Sequence, residues 1–152
     1  MRKSTKSNKQ SLRLRLKQSW RLRRKIIWVK APDVAKRVRF LLSTCEITWV
    51  RPSRLHFIRS YYAKTRAVAR IWGLNRVWQM ALAEEPSYVI EVIAERYDQL
   101  SEIEKDKVLL HELTHIPKNF SGALVPHIRR GKRSFHDKVH QLIGDYLSKK
   151  QR

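Results

Sequence analysis

The sequence contains a single cysteine, Cys45, in 152 residues. No disulfide can form within the chain, and a zinc site built from several thiolates is excluded. Cysteine this scarce suits a reducing interior, so a cytoplasmic location is expected. Cys45 follows Phe40-Leu41-Leu42 and reads as a small buried hydrophobe. Long apolar runs are lacking too: nothing approaches the ~18–20 residues of a membrane span. Near the N-terminus leucines alternate with arginines, Leu12-Arg13-Leu14-Arg15-Leu16, which leaves no unbroken apolar stretch for a secretory signal. There is no internal repeat, and no zinc-ribbon or recognition-helix motif, so sequence-specific reading of nucleic acid has no support. Acidic residues are few, 13 against 34 Lys and Arg, for a net charge of +21. The charge is segregated. Residues 1–30 hold twelve cations and no acid, whereas residues 84–112 hold nine of the thirteen acids. Such a chain is attracted to nucleic acid or, less readily, to an anionic membrane.

What is present suffices for one folded domain with a tail. Hydrophobic residues make up 42% of the chain, enough to bury a core without staples. The expected division is a basic, partly disordered tail over residues 1–27, a domain over 28–148 and a basic C-terminal end over 149–152. Residues 11–30 mix Leu, Trp and Ile with Arg and Lys, and fit either a basic amphipathic helix or a strand. Pro32-Asp33 starts a helix in which Val34, Val38, Leu41 and Leu42 share one face, ending near Thr44. Residues 47–50 and 55–62 are strand-like, with Pro52 between them. Residues 67–72 and 76–82 flank Gly73-Leu74-Asn75 and read as two strands joined by a turn. Residues 87–94 give the strongest strand signal. Ser101 and Glu104 form a capping box for a helix from about Glu102 to Ile116, stopped by Pro117. A loop with Gly122, Pro126 and Gly131 follows. Ser134 with Asp137 then caps a last helix, whose Phe135, Val139, Leu142, Ile143, Tyr146 and Leu147 form an apolar stripe of core residues.

The chemistry concentrates in His111-Glu112-Leu113-Thr114-His115, an HExxH motif. Helix positions i and i+4 share a face, so both imidazoles can converge on one ion. Glu112, next to the first histidine, is placed to deprotonate water at the ion and to pass the proton to a leaving amine. A catalytic zinc site takes three protein ligands and leaves one position open. The third ligand comes from His127, His136 or His140, with His127 ranked first because its loop can return to the helix. A third histidine six residues after the second is absent, which excludes the metzincin pattern.

The segment Tyr88–His127 (YVIEVIAERYDQLSEIEKDKVLLHELTHIPKNFSGALVPH) resembles a family of small metallopeptidases related to phage-type and SprT-like zincins. The stretch ARIWGLNRVWQ at 69–79 and Lys30-Ala31-Pro32-Asp33 share the resemblance, which covers roughly residues 28–145. HELxHIP followed by FSGAL and Pro126-His127 is far more specific than HExxH alone. The resemblance implies an α+β fold: a minimal zincin-like domain, with a small, mostly antiparallel sheet packed on the HExxH helix and flanking helices. It implies zinc held by His111, His115 and His127, with Glu112 catalytic, and a protein or peptide as substrate. It also implies an edge strand over the active site, matched by position to residues 87–94, that pairs with the substrate backbone. SprT-like enzymes carry their third histidine in a His-Gly context, whereas this chain has His127-Ile128.

The basic residues suggest a second partner. The tail's cations, with Trp20 and Trp28 among them, could contact phosphates and stack on bases. Arg51, Arg54, Arg59, Lys64, Arg66, Arg70 and Arg76 follow without an intervening acid. Trp28, Trp49, Trp72 and Trp78 are expected in the core. The leading expectation is therefore a zinc metallopeptidase acting on nucleic-acid-associated proteins. Its rivals are a basic nucleic-acid-binding protein with a non-catalytic metal site and a protein bound at a membrane surface through residues 11–30.

Overall fold

The computed structural model describes residues 25–127 and 134–151. The readings made for residues 1–24, and for Gly131 in the loop, lie outside them. Strand β1 (Ile27–Lys30) leads into helix α1 (Pro32–Thr44). A single 3₁₀ turn over Pro52–Arg54 precedes strand β2 (Leu55–Tyr61). Strand β3 (Ala69–Gly73), helix α2 (Arg76–Leu82) and strand β4 (Tyr88–Ile93) follow. The remaining helices are α3 (Ala94–Tyr97), α4 (Glu102–Thr114) and α5 (Phe135–Lys150). The four strands form one sheet in the order β1-β2-β4-β3. Its β1–β2 and β3–β4 ladders are antiparallel and β2–β4 is parallel.

Period-2 alternation assigns the sheet's two faces. Tyr88, Ile90 and Val92 of β4 join Leu55, Ala69 and Ile71 in the core, while Val89 and Glu91 point the other way. Helix α1 starts at a proline whose missing N–H has no helical partner to lose, and it buries Val34, Val38, Leu41 and Leu42. Each such side chain contributes about 1.5–3 kcal/mol when fully removed from water. Arg59 of β2 reaches Asp33 at 2.7 Å and Asp98 at 3.1 Å, tying the first turn of α1 and the end of α3 to the sheet. That guanidinium holds the Asp33 carboxyl below its usual range.

Several elements differ from their sequence reading. Residues 76–82 are a helix: Asn75 accepts from the Trp78 N–H at 3.2 Å and caps it. Residues 47–50 form no strand, although Ile47 and Val50 are buried. Cys45 is only half-buried against the core. The segment 87–94 supplies β4, which is interior and paired on both sides, so it cannot accept a further strand; the sheet edges are β1 and β3. Trp49 packs against the core, but Trp28, Trp72 and Trp78 are about half-exposed.

Candidate metal centre

Helix α4 begins with the capping box read from the sequence: Ser101 Oγ accepts from the Glu104 N–H, and Glu104 accepts from the Ser101 N–H at 2.9 Å. Regular helix ends at Thr114, yet His115 keeps helical dihedrals (φ −70°, ψ −15°), so His111 and His115 stay on one face. Leu109, Leu110 and Leu113 anchor the opposite face in the core.

His127 reaches this face because the chain after α4 is pinned along its length. Gln79 of α2 donates through Nε2 to the Leu74 carbonyl at 2.6 Å and the Ser121 carbonyl at 2.8 Å. The buried Tyr88 hydroxyl accepts from the Gly122 N–H at 2.8 Å and donates to the Ala123 carbonyl at 2.9 Å. Val125 N–H donates to the His115 carbonyl at 2.8 Å. Phe120 turns the chain at a positive φ of 48° and packs edge-on against Tyr88. Gly122 sits at φ 86° so close to the end of β3 that an added Cβ would lie 2.1 Å from the Leu74 carbonyl oxygen. The FSGAL segment is thus a wedge of backbone against backbone that only glycine permits.

The result is a cluster in which one ring nitrogen each of His111, His115 and His127 lies within 4.8 Å of the others. Nε2 of His111 and Nε2 of His127 are 2.9 Å apart. His115 donates from Nδ1 to the Val125 carbonyl at 2.6 Å, which fixes its tautomer and leaves the Nε2 lone pair free. Burial, then repulsion from His115 and His127, lowers the His111 imidazole to about 4; burial also lowers His115. Both rings are therefore neutral at physiological pH, the state in which imidazole ligates metal. Glu112 is buried beside them, and burial pushes its carboxyl up to about 7.

Phe135, the first residue of α5, closes the cluster. Its ring stacks on His115 with centroids 4.3 Å apart and meets His127 at 4.6 Å and His111 at 5.2 Å. On the other side a cavity of about 320 Å³ opens between the start of β3 (Val68, Ala69), α4 (Val108, His111, Glu112) and α5 (Val139, Ile143). His136 and His140 stay outside the cluster: they are exposed on α5 and pair with each other at 4.9 Å between centroids. The sequence reading missed three contributors: the Val125 carbonyl, the Tyr88 hydroxyl and the Phe135 ring. The first carries no residue-type signal. Tyr88 was visible only as part of a strand, and Phe135 only as a core residue.

Sheet, helices and histidine cluster define the class, a small zincin-like α+β domain. Residues 26–144 match the family described as "Putative phage metallopeptidase", and the chain belongs to that family. No curated protein matches the chain, and no solved structure does. Among the described residues no helix is long and apolar enough to cross a membrane.

Proposed function

We propose that this protein is a zinc-dependent peptidase, with residues 28–148 as its catalytic domain. In this reading His111, His115 and His127 hold the ion and Glu112 carries the proton. The observation that supports it is the convergence of the three imidazoles beside a buried carboxyl at the mouth of the cavity. The donor set fits zinc: three imidazole nitrogens, one oriented through its second nitrogen by a backbone carbonyl, in a site with room for a fourth position. A bound zinc ion supplies Lewis-acid polarisation of a peptide carbonyl and lowers the pKa of water. Glu112, poorly solvated and so a strong proton acceptor, takes the proton of the attacking water and delivers it to the departing amine. The outer edge of β3 pairs with no described strand, and β3 begins at the cavity. An extended peptide added along that edge would place its backbone beside the histidines, with Val139 and Ile143 offering an apolar wall to a side chain. The net charge of +21 supports proteins associated with nucleic acid as the substrate class.

Elemental analysis of untagged protein tests the site. Wild type and His136→Ala are expected to retain a single zinc, and His115→Ala and His127→Ala to lose it. Zinc lost in His136→Ala but kept in His127→Ala would reassign the third ligand. Absence of zinc after reconstitution of the wild type would end the reading. Glu112→Gln is expected to keep zinc and abolish hydrolysis of a peptide library; hydrolysis that survived would overturn the role given to Glu112.

A further inference from the structure

The sheet face turned away from the core is paved by two indoles. Trp28 on β1 and Trp72 on β3 stand on opposite edges of the sheet, yet both donate Nε1–H to the carboxylate of Glu91 on β4, at 3.3 and 2.9 Å. Trp28 is paired with Ser60 of β2, so its side chain must cross β2 to reach β4. An indole that spans this distance lies along the sheet instead of standing off it. Both residues are nevertheless open to solvent, at 57% for Trp28 and 49% for Trp72, while Glu91 beneath them is 1% exposed. Arg70 answers the carboxylate with two bonds of 3.0 and 3.1 Å, and its guanidinium lies 5.3 Å from the Trp72 ring centroid. Burial pushes the Glu91 carboxyl up, but the bonds from Arg70 and Trp72 outweigh it and hold it below its usual range.

Glu91 is the only acid in the four strands, and Arg70 neutralises it. Alternation puts exposed Lys30 and His56 on the same face. The twelve cations of residues 1–30 include those that lead directly into Trp28. Flat, rigid, half-exposed rings on a face without free negative charge suit unstacked bases, and the neighbouring cations suit phosphates. We infer that this face binds single-stranded nucleic acid, with bases stacking on Trp28 and Trp72 and phosphates meeting Lys30. Duplex is a poorer ligand because its bases are already stacked. An anionic membrane is the lesser fit, since indoles lying flat with their N–H groups bonded inward cannot insert into lipid. The inference rests on the nucleic-acid half of the proposed function and needs nothing from its hydrolytic half.

Fluorescence polarisation with the full chain tests it, using a labelled oligothymidylate, a duplex of equal length and phosphatidylserine vesicles. The oligothymidylate is expected to bind tighter than the duplex and to quench indole emission. Trp28→Leu and Trp72→Leu should each weaken binding about tenfold and leave the salt dependence unchanged, because no charge is removed. Lys30→Glu leaves the Trp–Glu91 bonds intact and should also weaken binding. Trp78→Ala removes an indole 56% exposed on α2 and should not. Wild-type affinity in both leucine variants, with no quenching in the wild type, would overturn the platform and leave the basic segments as the contact. Preference for vesicles with a blue-shifted emission would overturn it in favour of a membrane. A peptidase assay that fails while oligonucleotide binding persists would strike the hydrolytic reading alone.

Discussion

Glu112 is where folding and chemistry conflict most sharply. Its side chain is 8% exposed, and burial moves its carboxyl from 4.5 to about 7. Between those values the folded chain holds a proton that the unfolded chain has released, so stability falls as pH rises through the window. Glu112→Gln removes the penalty. After chelation of metal, the variant is expected to be more stable than wild type at pH 8 by about 3 kcal/mol, and equal to it at pH 4. Urea unfolding at the two pH values measures this, and equal stability at pH 8 would contradict it. His111 acts with the opposite sign. Its folded value near 4 lies below its usual 6.5, so the unfolded chain takes up a proton first as pH falls. Metal-free Glu112→Gln, freed of the opposing carboxyl, should therefore lose stability on acidification from pH 6.5 to pH 4. Zinc would protect against that loss by competing with protons for the same nitrogens.

At the scale of elements, the loop after α4 decides whether the third histidine arrives. Gly122→Ala places a Cβ 2.1 Å from the Leu74 carbonyl oxygen at a φ of 86°, so the loop must lift from β3. Zinc affinity should fall about tenfold or more, as for the loss of an outer partner that orients a ligand. Gly144→Ala is the contrast. That glycine lies in α5 with nothing within 4 Å of the added Cβ, and alanine there should stabilise by about 0.5–1 kcal/mol. Thermal melts and zinc titration of both variants check the pair; equal behaviour would show that the close approach at Gly122 is not what seats His127. The sequence made α1, α4 and α5 legible because their caps and apolar faces are local signals, and Ser101, Ser134 and Val34 to Leu42 act where they were read. HExxH was legible for the same reason. The order of the strands was not, because β4 becomes interior only by pairing with β2 as well as β3, and the parallel ladder that joins Leu55 to Tyr88 passes over all of β3 and α2 in sequence. Helix α2 was misread because none of its residues is buried, so its apolar Val77, Trp78, Met80 and Leu82 report no core-facing side. Trp28 and Trp72 depart from the general preference of indoles for burial because Glu91, a buried acceptor on the open face, bonds both, and Trp78 because it lies on the unburied helix α2.

Across the whole molecule one carboxylate joins elements from three parts of the chain. Asp106 of α4 is 3% exposed. It accepts from Arg37 of α1 at 2.7 Å and from the Tyr146 hydroxyl of α5, and Lys150 of α5 lies 3.5 Å away. Burial, with Asp106 beside it, raises the Tyr146 hydroxyl above its ordinary range, so it stays a donor at any physiological pH. The far end of α5 is where Phe135 stacks on His115. A helix is stiff over this length, so seating its C-terminal half against Asp106 also steers its first turn onto the histidines. Asp106→Asn removes the buried counter-charge that Arg37 and Lys150 face, although Arg37 keeps Glu102, and should cost about 2 kcal/mol. Tyr146→Phe removes one bond to a charged acceptor and should cost about 1.5 kcal/mol. If α5 transmits its seating to the site, Asp106→Asn should also weaken zinc binding, though it touches no ligand, and Phe135→Ala, which removes the ring stacked on His115, should weaken it further. Zinc titration under conditions where every variant remains folded separates the cases. Wild-type affinity in Asp106→Asn would mean that Val139 and Ile143, packed beside the cavity, hold the first turn of α5 in place on their own.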